Sequence, residues 1–367
     1  MNIINRVKYI YIVNYILLFY VKLSYVISWC AKILPMKIEK IVEQNSKIRG
    51  LTTRESEIGR NVMEQCMNVQ PGEKVLIVTD PEEYNNAAIF FEAAKEFTDS
   101  VKLISFSGMR ENAQEPPEKI VREIVAADVA ILITKHSLSH TKGRLAGTKS
   151  KTRIATMPGI TQEIIMRTLG VNYGEIAALS IKIANILTKS NNGKLTAEGG
   201  TDITFSIAGR AGIADTGLFV NPGAMGNLPA GEAFIAPLEG TTNGVIVFDG
   251  SFDAIELNQP IIAEIQDGKV VSLKGGKPAD ILKRRMEAVG EGSYNIAELG
   301  IGTNSAAELS SNLLEAEKVF GTVHVAMGNN ITFGGIVEVP FHSDGVILSP
   351  TLKVDDILIL DRGSFRW

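Results

Sequence analysis

The sequence predicts an N-terminal open α/β domain with a parallel sheet, followed by a β-rich, mostly antiparallel C-terminal domain. Three observations support this fold class. The length of 367 residues favours two domains over a single core. Apolar strand-like runs alternate with helical segments in the first half of the chain. In the second half, strand-like runs follow one another closely, with turn signals between them.

The first half contains repeated strand–helix–strand units. Strands are predicted at residues 74–80, 100–106, 129–134 and 153–157, and helices at residues 85–97 and 115–126. Apolar strands separated by helices of about 10–15 residues are typical of a parallel sheet. This half lacks the GxGxxG and GxxxxGK[ST] motifs, so no dinucleotide or nucleotide site is predicted there.

The boundary between the two predicted domains follows a long helix near residues 173–189. This helix ends at Ser-Asn-Asn-Gly, which is typical of a helix C-cap and turn. The α/β domain is therefore predicted at residues 36–190 and the β-rich domain at residues 191–367. Strands of the second domain are predicted at residues 202–209, 232–239, 244–250, 260–266, 269–273, 322–327, 345–349 and 356–360, with a helix near residues 279–289.

Residues 1–35 form a separate extension in this scheme. They are rich in Ile, Tyr, Asn and Lys, and their apolar stretch is interrupted by Asn14 and Lys22. A membrane anchor is one interpretation, because about 20 apolar residues span a bilayer. We favour the other, in which the extension takes no part in the fold and the working protein begins at Met36, where an amphipathic, charged segment starts.

Composition and charge narrow the function classes. Hydrophobic residues make up 45% and charged residues 21% of the chain, as in ordinary soluble globular proteins. The formal net charge is −4 and there is no long basic run, so nucleic-acid binding has little electrostatic support. Two cysteines, Cys30 and Cys66, are too few for a disulfide framework or a zinc knuckle, and a cytoplasmic location is expected.

Five polar residues of the second domain are candidate metal ligands. His342 and Asp344 are two positions apart, so on a strand they share one face. His324 lies among apolar residues on a predicted buried strand, and Glu232 and Glu298 stand at the edges of apolar strands. Taken singly, each is more often a hydrogen-bonded core residue than a ligand. Together they offer enough imidazole and carboxylate groups for two divalent ions about 3.5–4 Å apart.

Several motifs resemble those of the aminopeptidase T / aminopeptidase S family of dinuclear metallo-exopeptidases. The matching segments are HSLSHTK at 136–142, GGTDITFSI at 199–207, GNLPAGE at 226–232, AELGIGTN at 297–304, VHVAMGNN at 323–330 and HSD at 342–344. The resemblance covers nearly all of residues 36–366. The ordered set of motifs is more specific than any one of them alone.

This resemblance implies a metal-dependent aminopeptidase that removes N-terminal residues from peptides. Its two divalent ions, Zn, Co or Mn, would be held by Glu232, Glu298, His324, His342 and Asp344. Glu298 would be the bridging and catalytic carboxylate, and the ions would activate a water molecule and polarise the peptide carbonyl. The resemblance also implies a metal site in the β-rich domain and a homodimer that encloses the active sites.

One departure from the peptidase pattern keeps a second function open. The family carries a tyrosine seven residues after the histidine that matches His324, where this chain has Ile331. The same fold superfamily contains a 2,5-dihydroxypyridine dioxygenase with one Fe(II) held by two histidines and one carboxylate. Its H-x-D motif matches His342 and Asp344, but its other histidine falls at Glu298. The alternatives are therefore a non-haem Fe(II) ring-cleaving dioxygenase and a metal-binding relic without catalysis.

Other polar residues give weaker signals. His136 and His140 are four positions apart and follow a strand of the α/β half, where we expect a polar loop that lines the cavity rather than a separate metal site. Asp202, Arg210 and Asp215 fit either paired charges on a solvated hairpin or a strand near the metals, and they receive no role.

Overall fold

The computed structural model of this chain describes residues 41–44, 50–310 and 312–366. Contacts group Ile41–Trp367 into one compact unit. The extension at residues 1–35, with its two interpretations, lies outside the described residues. Within the described ranges, no helix has the length and apolar character needed to cross a bilayer.

The described residues form strands and α-helices whose bounds are as follows. The strands are β1 (Ile41–Gln44), β2 (Val75–Thr79), β3 (Val101–Phe106), β4 (Val129–Ile133), β5 (Arg153–Thr156), β6 (Asn192–Ala197), β7 (Asp202–Ser206), β8 (Ile213–Asp215), β9 (Met225–Asn227), β10 (Glu232–Ile235), β11 (Asn243–Phe248), β12 (Ile261–Gln266), β13 (Lys269–Lys274), β14 (Ile296–Gly302), β15 (Val323–Gly328), β16 (His342–Ile347), β17 (Pro350–Val354), β18 (Ile357–Asp361) and β19 (Ser364–Phe365). The α-helices are α1 (Thr53–Asn61), α2 (Tyr84–Ala94), α3 (Glu118–Ala126), α4 (Lys142–Lys149), α5 (Gln162–Thr168), α6 (Tyr173–Lys189), α7 (Gly276–Val289) and α8 (Leu313–Ala316).

A six-stranded, mostly parallel sheet contains the strands of the first half of the chain. Its order is β1-β3-β2-β4-β5-β9. β1 is antiparallel to β3, and every other pairing in this sheet is parallel. Strands β2, β4 and β5 are buried along their whole length, as expected where helices cover both faces of a parallel sheet. The predicted parallel sheet is confirmed, and β9 joins it from beyond residue 190. The domain boundary at that residue stays a prediction.

Side-chain caps fix where several helices begin. At α1, the Thr52 hydroxyl accepts a hydrogen bond from the backbone N–H of Glu55, and the Glu55 carboxylate accepts one from the Thr52 N–H, which completes a capping box. Thr141, Thr161 and Asn172 cap α4, α5 and α6 in a similar way. The helices predicted from sequence correspond to α2, α3, α6 and α7, with ends that differ by at most three residues.

Two antiparallel sheets make up the second half of the fold. The larger has eight strands in the order β13-β12-β11-β7-β6-β17-β18-β19, and the smaller has five in the order β16-β15-β14-β10-β8. Every pairing within them is antiparallel, so the predicted β-rich, antiparallel part is confirmed.

One apolar core joins the two antiparallel sheets. It contains Phe205 and Phe248 from the larger sheet, Leu299 and Val325 from the smaller sheet, and Leu187 from α6. Strands β14 and β15 are buried along their whole length. Because burial removes water as a hydrogen-bond partner, any polar side chain on these two strands needs a partner within the protein or a bound ion.

Candidate metal centre

Four strands of the five-stranded sheet carry the candidate ligands. These are Glu232 on β10, Glu298 on β14, His324 on β15, and His342 and Asp344 on β16. Adjacent strands are about 4.8 Å apart, so side chains that share one face of the sheet can reach a common centre. The fold therefore brings together the five residues that the sequence singled out.

Gly300 makes room for the ring of His324. The two residues pair across β14 and β15. A Cβ atom at position 300 would lie 2.0 Å from His324 Nε2, which no real contact allows. The first glycine of the AELGIGTN segment, Gly300, is therefore required by the imidazole that lies over it.

The five side chains form two groups of three that share Glu298. We call Glu232, Glu298 and His324 the inner triad, and Glu298, His342 and Asp344 the outer triad; within each triad, the ligand atoms lie within 4.8 Å of one another. In the inner triad, His324 Nε2 is 3.1 Å from Glu232 Oε2 and 3.5 Å from Glu298 Oε1. In the outer triad, His342 Nε2 is 3.4 Å from Glu298 Oε2 and 3.5 Å from Asp344 Oδ2. Glu298 thus turns one oxygen toward each triad.

The inner triad contains buried polar atoms without a hydrogen bond. They are Glu232 Oε2 and both ring nitrogens of His324, whose contacts lack hydrogen-bond geometry. His324 is only 1% exposed. A buried polar atom without a partner costs about 1–3 kcal/mol, and a proton or a metal ion shared between these atoms would remove that cost. The donor set of imidazole nitrogen and carboxylate oxygen fits a divalent first-row metal.

The outer triad opens to solvent through His342. The His342 side chain is 34% exposed, whereas those of Glu298 and Asp344 are buried. Its Nδ1 lies 2.9 Å from the backbone oxygen of Asn329. Because a carbonyl oxygen can only accept, Nδ1 carries the proton in this contact, and Nε2 is the ring nitrogen directed at the two carboxylates. Phe333 packs edge-on against the same ring, with a centroid distance of 5.9 Å.

Mutual electrostatics shift the titration of the outer triad. Burial disfavours a charged His342, but Asp344 and Glu298 outweigh it and raise its pKa to about 10. Burial also disfavours an ionised Glu298, but the adjacent histidine rings outweigh it and lower its pKa to about 2. Burial raises the pKa of Asp344 to about 6, against the opposing charge of His342. A metal ion at the outer triad would therefore compete with a proton on His342.

A buried lysine, Lys318, lies beside the inner triad. Lys318 Nζ donates to Glu232 Oε1 at 2.6 Å and to Glu317 Oε1 at 2.5 Å. Asp215 Oδ2 is 3.8 Å from the same nitrogen. Burial alone would lower the pKa of Lys318, but these carboxylates raise it well above its ordinary value, so Lys318 is an ammonium ion.

The loop before α4 lies close to the outer triad. Burial lowers the pKa of His140, and the positive charges of Arg144 and His342 lower it further, so His140 and His342 interact electrostatically. Among the described residues, the groups that could hold a metal include neither His136 nor His140.

Sequence reasoning missed part of this site. It gave no place to Glu317, Lys318 or Phe333, and it left Asp215 without a role. The available signal was the group of charged residues Glu315, Glu317 and Lys318 in the mostly apolar run LLEAEKVFGTV, because charges on a buried segment need partners.

Comparison with known proteins decides the family. The family model of 2,5-dihydroxypyridine 5,6-dioxygenase (NicX) matches residues 56–366. The chain belongs to this family. A curated 2,5-dihydroxypyridine 5,6-dioxygenase from Pseudomonas putida KT2440 is 20% identical over 256 residues, which make up 66% of this chain and 72% of that protein.

Two solved structures share the fold of this dioxygenase-family chain. The structure of 2,5-dihydroxypyridine dioxygenase from Pseudomonas putida KT2440 has a TM-score of 0.72 and 19% identity, and the match covers 86% of this chain and 98% of that one. Wild-type AmpT from Thermus thermophilus has a TM-score of 0.67 and 15% identity, with 85% and 98% covered. At these identities, the likeness to either structure establishes the fold alone.

Membership of the dioxygenase family corrects the predicted function. The prediction of an aminopeptidase, a protease that acts on peptides, is wrong, because both the family model and the curated relative are 2,5-dihydroxypyridine 5,6-dioxygenases. The resemblance to the peptidases is borne out at the level of the fold, through AmpT. A shared fold does not fix the reaction, which is why motif order misled the prediction. The protein is an enzyme with a metal cofactor.

Proposed function

We propose that this enzyme is a non-haem dioxygenase that cleaves a dihydroxylated aromatic ring of the 2,5-dihydroxypyridine type. The observation that carries this proposal is the family match over residues 56–366. It favours the function that the sequence had kept as the alternative to the peptidase. The converging carboxylate and imidazole groups support it, because such donors suit a redox-active first-row metal.

We assign the catalytic ion to the outer triad. An aromatic ring and dioxygen must both reach the ion, and His342 is the candidate ligand with a solvent-exposed side chain. The inner triad is enclosed, since His324 and Glu232 are buried. When bound, Fe(II) would supply the one-electron chemistry through which dioxygen reacts with an aromatic ring.

The protein's own residues would hold this centre in a fixed geometry. The Asn329 carbonyl orients His342 through Nδ1 and so keeps Nε2 directed at Glu298 and Asp344. Phe333 limits rotation of the same ring by packing against it. Glu298 replaces the histidine expected at this position of the dioxygenase, so the proposed ligands are one imidazole and two carboxylates.

The number of ions is part of this proposal. The sequence predicted two divalent ions, Zn, Co or Mn, over the five ligands, and that number stays a prediction. We propose that one ion, Fe(II), is sufficient for the reaction.

The test is oxygen uptake. The protein is first loaded with Fe(II) under anaerobic conditions, and uptake is measured after oxygen is admitted. On addition of 2,5-dihydroxypyridine, we expect uptake of one dioxygen per ring, together with loss of the ring's ultraviolet absorbance. The variants His342→Ala and Glu298→Gln should lose both bound iron and uptake, whereas Asp202→Asn, at an exposed ion pair, should keep both. Ring-dependent uptake that persists in His342→Ala would refute the assignment to the outer triad.

A further inference from the structure

Lys318 lies beside the inner triad, next to the carboxylates of Glu232 and Glu317. Its ammonium group contacts Glu232 and Glu317 directly, and Asp215 is nearby. It is 1% exposed, so it is as deeply buried as His324. Lys318 lies outside the sequence motifs that point to the metal centre.

The ammonium group uses one of the two oxygens of Glu232. Lys318 Nζ is bonded to Oε1 at 2.6 Å, so only Oε2 faces His324. An ion that bound Oε2 would be separated from the ammonium group by a single carboxylate. Like charges at so short a distance in a buried site repel strongly, because little water screens them.

Lys318 is also fixed in place. Its backbone N–H donates to the Glu315 carbonyl at 2.9 Å, and its carbonyl accepts from the Asn304 N–H at 2.9 Å. Its side chain is enclosed, and hydrogen bonds to Glu232 and Glu317 hold the ammonium group in position. A fixed positive charge therefore stands beside the inner triad.

The outer triad has no such built-in cation. Among the described residues, the charged partners of Asp344 and Glu298 are the histidines of the two triads, and no lysine or arginine pairs with either. The inner triad has donor atoms for an ion, but a fixed ammonium group lies against one of its carboxylates. Among the described residues, the outer triad has donor atoms and no fixed lysine or arginine beside them.

We propose that Lys318 acts as a built-in cation that restricts the cluster to one divalent ion, bound in the outer triad. This inference rests on the proposed function, which assigns the catalytic ion to that triad. Lys318 is thus a positioning residue: it determines where the metal binds and how many ions bind, and it does not touch the substrate.

The test is the number of ions bound per chain, measured without turnover. Oxygen-free wild-type protein is titrated with Co(II), followed by calorimetry and by the visible absorption of the bound ion, and the Mn(II) form is examined by electron paramagnetic resonance for coupling between two ions. We expect one ion in the wild type and two in Lys318→Met, which keeps the side-chain volume and removes the charge. The double variant Lys318→Met/Glu232→Gln should return to one.

Matched variants separate charge from packing. Lys318→Arg keeps a cation and should bind one ion, and Lys353→Met removes an exposed lysine elsewhere and should also bind one. In the wild-type background, His324→Ala should leave the count at one and His342→Ala should reduce it to zero. If Lys318→Met does not fold, the ion counts of the wild type and of these two histidine variants still test the proposal, because two ions in the wild type would overturn it.

The outcomes distinguish this inference from the proposed function. Two ions with magnetic coupling in the wild type, or one ion in a folded Lys318→Met, would overturn the role of Lys318 while His342→Ala could still lose the catalytic ion. A wild type that binds no ion, or an ion retained in His342→Ala and lost in His324→Ala, would overturn the proposed metal site, and this inference with it.

Discussion

At the scale of single residues, the centre depends on small groups that leave space for larger ones. Gly300 is the clearest case, because His324 Nε2 occupies the space where a Cβ would lie. A residue with any side chain at this position must displace the imidazole or the strand. The burial of β14 leaves little freedom for either movement.

We therefore expect Gly300→Ala to lower the free energy of unfolding by about 1–3 kcal/mol, the usual cost of overpacking a core. Chemical denaturation measures this change. The control is Gly50→Ala, where a Cβ would meet no atom within 4 Å and stability should be unaffected. Equal stability of Gly300→Ala and the wild type would mean that His324 does not occupy the position described.

The protonation of His342 leads to a second prediction at the residue scale, which concerns the pH dependence of metal binding. Its pKa is raised to about 10, so in the metal-free protein the ring is protonated at neutral pH. An ion must displace this proton, and raising the pH removes it. Metal affinity should therefore rise with pH through the neutral range and level off near pH 10.

Calorimetric titration with Mn(II) between pH 6.5 and 8.5, in buffers of different ionisation enthalpy, measures this effect. The contribution of His342 is release of about one proton per ion, with affinity rising by up to about tenfold per pH unit. A pH-independent affinity without proton release would contradict the shift.

At the scale of elements, the segment between β15 and β16 supports the outer triad. It supplies the Asn329 carbonyl to His342 and the Phe333 ring beside it. The side chain of Asn330 holds this segment in place through two hydrogen bonds. Its Nδ2 donates to Glu239 Oε1 at 2.9 Å, and its Oδ1 accepts from the Val337 N–H at 3.0 Å. Asn330 is completely buried, so water cannot replace these bonds.

We expect Asn330→Ala to cost about 1–3 kcal/mol in stability, because it leaves buried groups without partners. It should also weaken metal binding, since the Asn329 carbonyl that orients His342 loses its support. Denaturation curves and metal titration measure the two effects, with the exposed Asn185→Ala as the control. Loss of stability with unchanged metal affinity would show that this segment does not position His342.

The sequence was informative for the elements and less so for their contacts. Short apolar runs located β2, β4 and β15, because strands that are buried on both faces are apolar along their length. The H-x-D spacing placed His342 and Asp344 together because strand geometry has a period of two. The contacts of Lys318 with Asp215 and Glu232 were not predictable, since these two residues lie far away in sequence and only the sheet brings them near.

At the scale of the whole molecule, one framework serves more than one chemistry. The chain shares its fold with both a dioxygenase and AmpT, so the order of the motifs could not distinguish their reactions. Position 298 did not distinguish the reactions either, since a carboxylate there fits both one-metal and two-metal arrangements. Family membership was needed to choose between the reactions.

Assembly is a further expectation at this scale, and it comes from the resemblance that predicted a homodimer. We propose that the chain forms a homodimer in solution. Sedimentation at micromolar concentration should give a mass near twice the chain mass of 39.7 kDa. A monomer over the whole concentration range would refute this proposal.

The origin of the oxygen atoms in the product tests the central claim most directly. Fe(II)-loaded protein is given 2,5-dihydroxypyridine under ¹⁸O₂ in ordinary water, and the ring-opened product is analysed at once by mass spectrometry. A ring-cleaving dioxygenase places both atoms of dioxygen in its products, so we predict two ¹⁸O atoms per ring cleaved. Product oxygen that comes from water alone, or release of amino acids from peptides without oxygen uptake, would contradict the account.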